Sequence, residues 1–180
     1  VYKGLEDKAS VQLYIHGDYD YSVDTNMQLD ALKAALENKI LERLREKESG
    51  VYSPNVGLSV SKYPKAHYYF TISFSCATAN VEKLIAAALD EVQHIKDNGA
   101  TTDDIMKFKS EEQRQQELSL RNNNFWLNYI SNREKYGDDI DQILSTKERL
   151  DKVTVETSKV AAQKFLSDDN YIRLVLMPQK

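Results

Sequence analysis

The sequence predicts an α+β fold, a two-layer sandwich in which a mostly antiparallel four-stranded sheet carries helices on one face. Three observations predict it. Four short stretches alternate apolar and polar residues with the period of a half-buried strand. Several longer stretches repeat apolar residues every three or four positions, as an amphipathic helix does. The order strand, helix, two strands, several helices, strand contains only one link of hairpin length, which disfavours the strict βαβ alternation of a parallel sheet.

Val11, Leu13 and Ile15 alternate with Gln12, Tyr14 and His16, giving a first strand near 10–17. The polar turn HGDYDYSVD leads to Asp24 as a candidate N-cap. Leu29, Leu32, Leu36, Ile40 and Leu44 follow at helical spacing. After Pro54, Val56, Leu58 and Val60 alternate with Gly57, Ser59 and Ser61. After YPKAH, Tyr68, Phe70, Ile72, Phe74 and Cys76 alternate with polar neighbours, and the two runs read as adjacent antiparallel strands.

From Asn80, an N-cap candidate, Val81, Leu84, Ile85, Ala88, Leu89, Val92 and Ile95 form a second stripe ending at Asn98-Gly99, so a helix fits 81–98. Thr101-Thr102-Asp103-Asp104 opens a long third helix with Tyr136-Gly137 as its stop. Its middle, KSEEQRQQE, has no apolar face and is expected against solvent. Its far end, with Leu118, Phe125, Trp126, Tyr129 and Ile130, is expected to be packed. Shorter helices are expected around 139–146 and 154–166. Ile172, Leu174 and Leu176, alternating with Tyr171, Arg173 and Val175, form a last strand ended by Pro178.

At 180 residues the chain is long enough to bury about 70% of its unfolded surface in one core, so residues 1–180 are expected to be a single α+β domain. The start at Val1 rather than Met makes it a processed product or a segment of a longer multidomain protein. A formal charge of −4 removes the basic surface on which general phosphate binding depends, so nucleic acid is not an expected partner. The 11 tyrosines lack the basic groove that base-stacking platforms need, and most are expected in sheet and core. No run of about 18 apolar residues offers a membrane span. With Cys76 alone, no internal disulfide forms.

The usual chemical motifs fail one by one. His16, His67 and His94 are dispersed, and neither H-x-x-E-H nor its inverse occurs. Glu91 and His94 make a single Glu-x-x-His spacing, but a di-metal bundle needs a second copy and two further Glu helices. Asp18, Asp20, Ser22 and Asp24 resemble the start of a calcium loop, yet Val23 and Leu29 stand where Gly and Glu belong, so a solvated turn with a helix cap is the reading. No nucleophile elbow or glycine-rich phosphate loop is present, and Cys76 fits the buried face of its strand.

The stretch LREKESGVY, residues 44–52, supports two readings. In one, Arg43, Arg45 and Lys47 complement the helix dipole at a C-terminus, Gly50 supplies a left-handed turn and Tyr52 begins the next strand. In the other, the reversal at Gly50 brings the Tyr52 phenol back toward the Arg45 guanidinium. Two strong donors then face one space, suited to a peptide carbonyl or the oxyanion formed from it.

The helix ending in LREKESGVYSP, the hairpin GLSVSKYPKAHYYFTISFSC, the helix NVEKLIAAALDEVQHIKDNG and the segment EEQRQQELSLRNNNFWLNYI together resemble the C-terminal half of pitrilysin/insulinase-family zinc peptidases, in particular the bacterial zinc proteases. The resemblance covers nearly the whole chain. Its most specific element is Arg45, six residues, then Tyr52 after a Gly; the remainder is an order of elements. It implies two related α+β halves that close like a clamshell around a peptide. The N-terminal half, in the same protein or a partner subunit, carries H-x-x-E-H and zinc, while the half resembling this chain holds no metal and uses Arg45 and Tyr52 to bind substrate backbone. This segment by itself is then expected to be inactive, with no catalytic residue and no cofactor of its own, zinc belonging to the parent protein. The bacterial periplasm or cell envelope is the implied location. A catalytically inactive structural or interaction subunit of the same fold family is the alternative. A free-standing binding domain is a third reading, and predicts no large apolar patch facing a missing half.

Overall fold

β1, Ala9–Asp18, turns Val11, Leu13 and Ile15 into the interior, as the alternation predicts. It is one of the two central strands, pairing antiparallel with β3, His67–Cys76, on one side and β4, Tyr171–Leu176, on the other. β2, Asn55–Ser61, pairs antiparallel with β3, which gives the order β2-β3-β1-β4. Tyr68, Phe70, Ile72, Phe74 and Cys76 supply the inward row of β3. The structure, a computed structural model, describes residues 1–4, 6–51, 53–167 and 170–179.

α1, Val23–Leu41, lies on the apolar side of the sheet with Leu29, Leu32, Leu36 and Ile40 fully buried, and Leu44 continues the stripe past its end. Each such leucine contributes about 1.5–3 kcal/mol by leaving water. The N-cap is Ser22 rather than Asp24. Its hydroxyl accepts from the Thr25 N–H at 2.9 Å, while Asp24 sits in the first turn, where its charge suits the dipole. Small residues on a second side of α1, Ala31 and Ala35, join Met27, Ala100, Ile105, Leu150 and Val153 in a separate buried cluster. α1 is therefore covered on two sides.

α2, Val81–Asn98, has the predicted bounds. Asn80 does not cap it with its side chain; a 3₁₀ turn, Thr78–Asn80, winds directly into the helix. Gly99 ends it at φ 76° and ψ −178°, and a Cβ there would stand 2.6 Å from the Val155 carbonyl oxygen. The neighbouring Ala100 N–H donates to the buried Ser158 hydroxyl at 2.8 Å, which donates in turn to that carbonyl at 2.7 Å.

The expected long third helix is broken. α3, Thr102–Ser119, starts with a capping box between Thr101 and Asp104, and α4, Asn123–Tyr136, starts anew. Between them Asn122 is extended (φ −107°, ψ 119°) and its side chain accepts from the Asn124 and Phe125 N–H groups, an N-cap in the middle of an apolar-patterned run. The exposed middle of α3 is as predicted. The packed far end is not, for no residue of α4 is buried. Phe125, Trp126 and Tyr129 instead pack on one another, and the Trp126 indole N–H donates to the Leu120 carbonyl at 2.9 Å, so the rings fold back on the break.

The expected helix at 139–146 is a 3₁₀ turn, Ile140–Ser145, running into α5, Thr146–Asp151; α6, Val155–Phe165, follows its own capping box at Thr154. In β4 it is Tyr171 and Val175 that lie against the core, while Ile172 and Leu174 remain 45% and 50% exposed on the outer face of the sheet. The polar-looking set faces inward because Leu13 pairs with Arg173, fixing the register one residue from the apolar set.

Candidate functional site

The sequence-predicted site lies where α1 gives out. Glu42–Lys47 continues the helix as a π turn, the Glu48 N–H donating to the Arg43 carbonyl at 3.0 Å and the Gly50 N–H to that of Leu44 at 3.3 Å. A π turn widens the helix by one residue and shifts which side chains face outward. Leu44 and Val51 are buried on either side of the reversal and fix it against the core.

The left-handed residue is Ser49, at φ 50°, and not Gly50. What Gly50 provides is closeness: a Cβ there would lie 3.0 Å from both terminal methyls of the buried Leu84, so the turn is seated directly on α2. A serine held at positive φ costs about 1 kcal/mol, and such strain concentrates where a loop is shaped for use.

Arg45 is exposed on this π turn. Its neighbours form ion pairs: Lys47 with Glu42 at 3.0 Å, and Glu48 with both Lys83 at 2.6 Å and Arg43 at 3.3 Å. The hydrogen bond from Lys83 is the main cause that holds Glu48 below its ordinary carboxyl value, against a burial cost and with the charges of Lys83 and Arg43 adding to it. Tyr52, the other predicted member of the site, lies outside the described residues. Glu48 and Lys83, which the sequence reading does not single out, frame the turn. Their pairing joins two helices and has no local signature, whereas Ser49-Gly50 is a recognisable turn dipeptide.

The other polar groups singled out from the sequence form no single cluster. His16 and His67, dispersed in sequence, come together on the outer sheet face with ring centroids 5.6 Å apart, because β1 and β3 run antiparallel. Asp18 faces His67 and Lys65, and Asp24 pairs with Lys152 at 2.8 Å, so the acidic turn does not converge on one point. Among the described residues no group of three His, Cys, Asp or Glu side chains is placed to hold a metal ion, so zinc finds no fitting ligand set here. No helix of the described residues is long and apolar enough to cross a membrane. Cys76 is buried, which pushes its thiol up from its ordinary value.

Residues 1–111 match the family described as the peptidase M16 inactive domain. The zinc protease PQQL-like of Arabidopsis thaliana is 27% identical over 161 residues, covering 81% of this chain and 17% of the relative. Among solved structures, the periplasmic protease PqqL of Escherichia coli superposes with a TM-score of 0.85 at 24% identity, over 99% of this chain and 21% of its own. The peptidase M16 inactive domain from Pseudomonas fluorescens gives 0.82 at 18% identity, over 99% of this chain and 43% of its own. The structural likenesses establish the fold. The chain spans about a fifth of the length of the Arabidopsis and E. coli proteins.

Proposed function

The chain belongs to the peptidase M16 inactive domain family, and from that membership we propose that it serves as the substrate-binding, non-catalytic half of a zinc-dependent endopeptidase. The hydrolytic zinc site belongs to an N-terminal half, in the same protein or a partner subunit, that closes over this one around a peptide. Arg45 and Tyr52 bind the peptide backbone across that closure.

The observation that carries the reading is the turn itself. Arg45 is presented on a π turn, beyond which Ser49 is held left-handed, and both features lie inside the family-matched region. Leu44 and Val51 anchor the backbone of the turn that presents Arg45, and a guanidinium there is a strong donor suited to a peptide carbonyl oxygen. A donor on a shell separate from the metal contributes only after closure, so closure assembles the site and excludes water from it. The apolar outer face of β4 also favours a chain that works against another body over a free-standing binding domain. The E. coli relative is a periplasmic protease, which supports the periplasm or cell envelope as this chain's location.

The test is kinetic. In the full-length protein, Arg45→Gln and Tyr52→Phe should each lower kcat/KM for peptide cleavage by about ten to a thousandfold, the range for losing an oxyanion-type donor. Unchanged kcat/KM in both variants, with the melting temperature preserved, refutes the assignment.

A further inference from the structure

At the other end of α1, about 30 Å from Arg45 along the helix axis, a cavity of about 470 Å³ opens between the β1–α1 turn, the start of the β2–β3 connection and the segment joining α4 to α5. Its walls include three cations, Lys62, Arg133 and Arg149, and two carboxylates, Asp24 and Asp138. Those charges do not cancel locally. Asp138 receives both Lys62 and Arg133, and Asp24 is held by Lys152 from outside the cavity.

Arg149 is left over. It is only 8% exposed, yet among the described residues no carboxylate lies within ion-pairing distance of its guanidinium. All its partners are neutral: the Ser145 hydroxyl at 2.6 Å, the Gln142 carbonyl at 2.6 Å and the Thr146 hydroxyl at 3.0 Å. Its Nε–H is buried with no acceptor, and the Gln142 side-chain oxygen, on the same wall, is buried with no donor. A buried charge without a counter-charge, beside an unmatched donor and an unmatched acceptor, is an unfavourable arrangement for a structural residue. A ligand presenting one negative oxygen pair and an adjacent N–H would satisfy all three once the Arg149 and Gln142 side chains turn these buried atoms into the cavity they line.

We propose that this cavity binds a peptide carboxylate, with Arg149 and Arg133 as the cationic contacts and the Gln142 side-chain oxygen accepting the neighbouring backbone N–H. The shared chemistry is a planar carboxylate next to an amide, as a peptide C-terminus presents it. A guanidinium matches that geometry better than a lysine ammonium does. This site is separate from the Arg45 turn and does not depend on the peptidase reading.

The Arg149 Nε–H resonance of the ¹⁵N-labelled chain gives a direct readout, assigned through its loss in Arg149→Lys. The probes are N-acetylglycylglycine, its C-terminal amide and inorganic phosphate. The free acid should shift the resonance saturably with a Kd of about 1 mM. The amide and phosphate should bind at least about tenfold more weakly, and Arg133→Gln should weaken the acid by a similar factor. Arg133→Gln alters the rim of the cavity, so the test does not hinge on whether an Arg149 variant folds. Acid and amide acting alike, phosphate binding as tightly as the acid, or no shift with the acid at about 10 mM would overturn the proposal.

Discussion

Replacing Gly99 by alanine should be among the most damaging single-methyl additions in this chain. At φ 76° and ψ −178° the backbone occupies a region that is essentially glycine's alone, which costs any other residue about 1–3 kcal/mol. The new methyl would also stand 2.6 Å from the Val155 carbonyl oxygen. That atom cannot swing aside, because it belongs to the first turn of α6 and already accepts the Ser158 hydroxyl. Forcing the two helices apart adds about 1–3 kcal/mol of overpacking. The sum is about 4 kcal/mol, or a fall of about 10 °C in Tm for a chain of this size. Gly137→Ala is the internal control: its φ is also positive, 63°, but nothing lies within 4 Å of its added methyl. It should cost only about 1 kcal/mol. Urea unfolding followed by far-UV circular dichroism measures both. If Gly99→Ala loses no more stability than Gly137→Ala, the contact between α2's end and α6 does not carry the load assigned to it.

Ser158→Ala should cost about 1–3 kcal/mol, because it strands the buried Ala100 N–H without an acceptor, and hydrogen exchange at that amide should accelerate in parallel. Asp104 governs an acid-side effect. Burial alone would push its carboxyl up, but hydrogen bonds from Thr101 and then Asn38, with the charge of Lys39, outweigh burial and hold it below its ordinary value. Its stabilisation is therefore complete above the unfolded carboxyl value of about 4 and is lost as pH falls through the lower folded value. Stability measured between about pH 6 and pH 3 should decline less steeply in Asp104→Asn than in the unaltered chain, and parallel slopes would contradict this account.

The sheet and the first two helices were legible because burial alone decides them. The inward rows of β1 and β3 and the Leu29–Leu44 stripe are one-sided patterns with a single satisfactory placement. The break at Asn122 was not legible, because it depends on one side chain turning back to two amides, a local competition that periodicity does not register. Nor was the facing of β4. Its more apolar set, Ile172, Leu174 and Leu176, points away from the core, and only the register against β1, which periodicity does not reveal, decides this. At the candidate site, the sequence located the turn and the exposed Arg45 but gave the left-handed conformation to Gly50 instead of Ser49. A glycine is needed equally for positive φ and for close approach, and residue identity does not separate the two.

The position of β4 bears on how the protein is made. The first of the four strands in chain order occupies the middle of the sheet, and the strand that completes its second hydrogen-bonding edge comes last of the four, after all the helices. Throughout translation of the intervening helices, β1 can pair with β3 on one side while its other edge stays bare to competing strands. Such a nascent chain has reason to engage a holding chaperone until Tyr171–Leu176 emerges and seals it.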